Sequence, residues 1–117
     1  MIPDLKTDAD LLAYTHTMME QAAGFERRFR VLFDELAASR EMPSATDEER
    51  LARYSRRAEV NAAMAELLTE RAQVVEPGLM FSWALMVAAD VHRERAESSQ
   101  ERAESVRARI ESAGGGR

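Results

Sequence analysis

Apolar residues in this chain recur at alternating gaps of three and four over nearly its whole length, and that spacing leaves few folds open. One line runs Leu11, Thr15, Met18, Ala22, Phe25, Phe29, Leu32 and Leu36, and a second runs Leu51, Tyr54, Ala58, Asn61, Ala65, Leu68, Ala72 and Val75. The third is written into a seven-residue repeat: ERAESSQ at 94–100, ERAESVR at 101–107 and a decayed ARIESAG at 108–114. The repeat aligns Ala96, Ser99, Ala103, Val106, Ile110 and Ala113, and the line continues back through His92, Ala89, Leu85 and Ser82. A 3.5-residue period is the seam of helices packed in coiled-coil fashion.

Two breaks divide the three lines. Pro43, within EMPSAT at 41–46, removes a backbone donor and disfavours helix at Met42. Pro77, within EPG at 76–78, ends the second line and suits the first turn of the third. Thr7 with Asp10, and Thr46 with Glu49, each form the spacing of a capping box, with acids at the positive end of the helix dipole. The predicted helices therefore span about 8–40, 47–75 and 79–112, followed by a disordered tail at 114–117. Nearly equal helices with short loops predict one all-α domain over 1–113: an antiparallel, up-down-up, three-helix bundle with long helices. Folding about residues 43–44 pairs residue i of the first helix with about 87 − i of the second. Folding about Pro77 pairs residue j of the second helix with about 154 − j of the third.

Composition narrows the function classes. The chain has 117 residues, no cysteine and a net charge of −5. Disulfides, thiolate metal sites and cysteine nucleophiles are thereby excluded, and the acidic balance speaks against nucleic acid. The 15 arginines, single Lys6 and 20 alanines carry the bias of a GC-rich bacterial genome. Residues 79–91 are almost wholly apolar, but 13 residues of helix reach only about 20 Å, against a hydrocarbon core of about 30 Å. With an acidic N-terminus unlike a secretion signal, the expectation is a cytoplasmic protein that does not enter membranes.

Chemical motifs are absent. No phosphate loop, nucleophile elbow, HExxH or Glu-x-x-His occurs, and the five glycines are Gly24, Gly78 and the last three before Arg117. His16, with Glu20 one turn later, makes at most half a metal site, at an outward position. No catalytic residue, metal ligand or cofactor is expected. Arg27, Arg28 and Arg30, together with Arg50, Arg53, Arg56 and Arg57, gather at one end of the predicted hairpin. The acids Glu26, Asp34, Glu35, Glu48 and Glu49 interleave them, so pairing one turn apart on a solvated face is favoured over a phosphate-recognising patch.

Two features point to function. If Ser82, Leu85, Ala89 and His92 turn inward, the opposite side of the third helix carries Met80, Trp83, Val87 and Val91, a second apolar stripe. A three-helix bundle cannot bury both sides of one helix, so this stripe is expected to meet another chain, most simply a second copy in a two-fold dimer. The expected function is a non-enzymatic protein–protein interaction module, such as an adaptor, small subunit, inhibitor or accessory protein. The second feature is a gathering of Met18, Met19 and Met86, with Asn61 level with His92 as polar handles. It supports the alternative of an apolar small molecule bound between helices, while the plainer reading of Asn61 and His92 is a hydrogen-bonded pair that fixes register.

Overall fold

The computed structural model describes residues 6–75 and 80–115, and their side chains except at residues 14, 17–19, 80, 81 and 115. The described residues are helical or lie in turns and bends, with no strand among them. They form α1 (Asp8–Arg40), α2 (Asp47–Val74) and α3 (Met80–Gly115). Both capping boxes are present. Thr7 Oγ1 accepts from Asp10 N–H while the Asp10 carboxylate accepts from Thr7 N–H, and Thr46 and Glu49 do the same at α2. Each supplies acceptors for backbone donors that the first helical turn leaves unpaired. α3 stays helical through Gly114 and Gly115, so the expected tail does not begin at 114. Residues 116 and 117 lie outside the described ones.

α2 is the central element, packing along α3 and against α1. Its contact with α3 follows the expected register. Asn61 meets His92, Tyr54 lies under Arg102 and Asp47 pairs with Arg109. Ala89 and Ala103 of α3 are fully buried, with Leu85, Ser99 and Val106 nearly so, and their mostly small side chains let the two helices pack closely.

The α1–α2 register differs from the expected one by about two turns. Arg28 pairs with Glu70, Phe25 lies under Arg71 and Glu35 pairs with Arg56, which sets residue i of α1 level with about 95 − i of α2. The cause is the path of the connection. Residues 41–46 run back alongside the start of α2 instead of turning tightly, since Arg50 Nη1 donates to the Ser44 carbonyl at 2.9 Å and Arg53 Nη1 to Ser44 Oγ at 3.2 Å. Two consequences follow. The first turns of α2 lie past the end of α1, and residues 8 to about 20 of α1, about 20 Å of helix, project past the far end of α2. The molecule measures 75 × 23 × 20 Å, with a radius of gyration of 19.9 Å, against about 13 Å for a compact chain of this length.

The core follows from this arrangement. One cluster joins Leu68, Ala72, Leu85 and Ala89, with Phe25, Phe29, Val75 and Ala88 packed on it. The other joins Leu36, Val60 and Met64, flanked by Phe29 and Leu32. Phe25, Phe29 and Phe33 stack along α1 with centroids 5.9 and 6.4 Å apart. Phe33, next to Leu32 but off the first apolar line, is 56% exposed, and Leu11, at the start of that line, is 52% exposed. Among the described residues the α1 and α3 backbones do not approach within 8 Å. Phe25 and Phe29 of α1 pack on the cluster that α2 and α3 form together. Removing Met64, which is 1% exposed, should therefore be costly. Met64→Ala is expected to lose about 2–5 kcal/mol in urea unfolding. Val31→Ala, at a 56%-exposed position of α1, is expected to change stability by less than about 0.5 kcal/mol.

Candidate functional site

The outward stripe of α3 is exposed. Trp83 is 68% exposed, and Val87 and Val91, each four residues on, are 42% and 38% exposed. Met86 belongs with them. It is 39% exposed and sits one turn from Trp83, so it is not part of the interior cluster expected of it. Leu85 and Ala89, on the other side of the same turns, are buried. The helix thus carries apolar residues on both sides over 83–91. Met80 is in α3, but its side chain lies outside the described residues.

Of the expected pocket residues, Met86, Asn61 and His92 have described side chains. The side chains of Met18 and Met19 lie outside the described ones, and Met86 faces outward. Four surface grooves among the described residues, including one of about 1040 Å³ between α2 and α3, are lined by other side chains. Asn61 and His92 do meet. Asn61 is 1% exposed; its amide Nδ2 donates to the Arg57 carbonyl at 3.0 Å, and its Oδ1 lies 2.9 Å from His92 Nδ1. The carbonyl fixes which way the amide faces, because Oδ1 turned toward it would set acceptor against acceptor. Oδ1 is then left to accept from His92, whose Nδ1 must carry the proton. The pair crosses from α2 to α3 and closes the polar accounts of the layer without a third partner. Burial, and secondarily the Arg95 charge, holds the His92 imidazole below its ordinary value of 6.5.

The arginine cluster divides in two. Arg28 pairs with Glu70, Arg56 with Glu35 and Glu59, and Arg50 with Asp47, in keeping with the solvated-face reading. The Asp47 carboxyl is held below the usual carboxylate range, chiefly by the hydrogen bond from Arg50 and further by Arg109. Arg53 and Arg57 instead turn to the inner side of α2, toward Arg40 of α1 and Arg102 of α3. Burial pushes the Arg57 guanidinium below its ordinary value, and Arg53, Arg40 and Arg102 push it the same way. Sequence reasoning also missed the stripe of α2 on which these residues lie. Arg53, Arg57, Val60, Met64, Leu67 and Arg71 recur at gaps of four and three, one residue out of phase with the line through Asn61. The available signal was the run of consecutive apolar pairs, 64–65 and 67–68. His16 and Glu20 are both exposed, and the described residues hold no group of three side chains able to bind a metal ion.

Fold and surface together define an all-helical protein in which an apolar helix face lies beside a closed polar layer. No described helix is long and apolar enough to cross a membrane. No known family model, curated protein or solved structure matches the chain.

The Asn61–His92 layer yields two expectations. Asn61→Leu leaves the half-buried His92 N–H without its acceptor, and should destabilise by about 1–3 kcal/mol in chemical unfolding. As pH falls, the unfolded chain takes up a proton at 6.5 before the folded chain does at its lowered value. The stabilisation from neutral His92 is thus complete above 6.5 and declines as pH drops through and below it. Melting temperature should fall between about pH 7.5 and about pH 5.5, the window in which histidine titrates, and His92→Gln should flatten that slope.

Proposed function

We propose that this protein is a non-enzymatic interaction module that self-associates through the outward face of α3. Exposure of Trp83 at 68%, in line with Val87 and Val91 and flanked by Met86, carries the reading. An indole left in water forgoes the largest apolar burial any side chain offers, and tryptophan and methionine are concentrated at the centres of protein interfaces. The projecting half of α1 supports the same conclusion. Leu11 and Leu12 are 52% and 58% exposed, on a segment that extends past the α2–α3 end of the molecule. A second copy related by a two-fold axis would cover both apolar surfaces in one contact, because a two-fold interface sets each patch against its mate. The finer architecture belongs to this proposal: an antiparallel up-down-up three-helix unit, packed in coiled-coil fashion, whose open face is completed by its copy.

Light scattering should show a dimer over a wide concentration range. Trp83→Glu, at a position with no role in the interior, should yield a monomer with undiminished helical circular dichroism. A wild-type monomer, or a Trp83→Glu protein that remains dimeric, would refute the proposal. Monomeric wild type whose Trp83 fluorescence shifts on adding apolar ligands would favour a small-molecule site instead.

A further inference from the structure

We propose that the guanidinium groups of Arg40, Arg53, Arg57 and Arg102 form a binding site for a multiply charged phosphate-type oxyanion. All three helices contribute. Arg40 ends α1, Arg53 and Arg57 lie one turn apart on the inner side of α2, and Arg102 reaches over the Tyr54 ring of α2 at 5.9 Å from α3. Among the described residues none of the four is in an ion pair. That is notable in a chain with net charge −5. Arg71, further along the same α2 stripe, is also outside any ion pair among the described residues and has a buried, unpartnered Nη1, but it lies over the Phe25 ring away from the other four. Nearby acids are engaged elsewhere, Glu49 in the α2 cap and Asp47 with Arg50 and Arg109.

The second observation is a set of unmet donors. The Nε atoms of Arg53 and Arg57 are buried with no hydrogen-bond partner. Arg53 uses Nη1 on Ser44 Oγ, which leaves its remaining donors free. Buried donors without acceptors beside converging like charges are a doubly unfavourable arrangement, and one oxyanion resolves both defects. Guanidinium forks match the paired oxygens of a phosphoryl group, and a dianion or larger offsets several positive charges at once. Arg53 and Arg57 are half-buried and form the base, while Arg40 and Arg102 are exposed at the rim, so an anion can enter. The site lies about 28 Å along α3 from Trp83, and it stands or falls independently of self-association.

Calorimetric titration with sodium pyrophosphate, in sodium chloride at constant ionic strength, tests the assignment. One saturable site per chain is expected, with affinity above that for orthophosphate. Arg57→Gln should weaken binding at least tenfold. Arg102→Gln, a substitution at the exposed rim that leaves the interior alone, should weaken it measurably and keeps the test readable if the first variant does not fold. No heat beyond the chloride control, or pyrophosphate binding unchanged in Arg102→Gln and in folded Arg57→Gln, would overturn the proposal.

Discussion

The arrangement depends on α2 being packed on two adjacent faces at once. Val60 and Asn61, Met64 and Ala65, and Leu67 and Leu68 are consecutive pairs, and all six residues are buried. Neighbouring residues on a helix point about 100° apart, so each pair serves two partners: the first member faces α1, and the second faces α3. Neither outer helix is treated this way. Among the described side chains of α1 only Leu36 and Ser39 are buried, and those of α3 bury a single narrow line of mostly small residues. The small residues of that line let α3 approach closely along the whole of α2. α1, by contrast, packs against α2 and has no backbone approach to α3 within 8 Å among the described residues.

Local instructions were the legible part of this sequence. Caps, proline breaks and the seven-residue repeat act within a few residues of themselves, and the helices follow them. The α2–α3 register was legible as well, since folding the sequence about Pro77 pairs the two seams residue by residue. The α1–α2 register was not, because it depends on a connection whose course is set by Arg50 and Arg53 reaching back to Ser44. No periodicity encodes that contact. The second stripe of α2 was hidden for a related reason. Three of its six positions are arginine, so a search for apolar recurrence passes over it, although the long apolar stems of arginine pack well with a charged end at the margin.

The outward face of α3 was legible because it needs no tertiary information: two apolar lines on one helix exceed what a single partner helix can cover. The arginine site was only half legible. Spacing along the chain showed acids interleaved with bases, and the ion pairs of Arg28, Arg50 and Arg56 obey that spacing. Which arginines turn away from the acids is decided by the phase of the helix. Arg53 and Arg57 share the phase of Val60 and Met64 and so turn inward, whereas Arg56 does not; Arg50 shares that phase but lies in the first turn of α2, where it is taken up by Asp47 and the Ser44 carbonyl.

The same three arginines set the length over which α1 and α2 touch. Between Arg57 and Arg71 the α1-facing stripe of α2 is apolar, and opposite it stand Leu36, Leu32, Phe29 and Phe25. At one limit Arg71 lies over the Phe25 ring at 5.6 Å, so the last aromatic layer meets a cation instead of another hydrophobe. At the other limit α1 stops at Arg40, beside Arg57, where further apolar packing would bury charge. An α1 shifted two turns along, as a tight hairpin would require, would bring its phenylalanines toward Arg53 and Arg57. The offset instead sets them against the apolar part of the α2 stripe. Its consequence is that the start of the α1 line, at Leu11, has no α2 surface to meet, so Leu11 and Leu12 join Trp83, Val31 and Phe33 among the apolar side chains this fold leaves exposed.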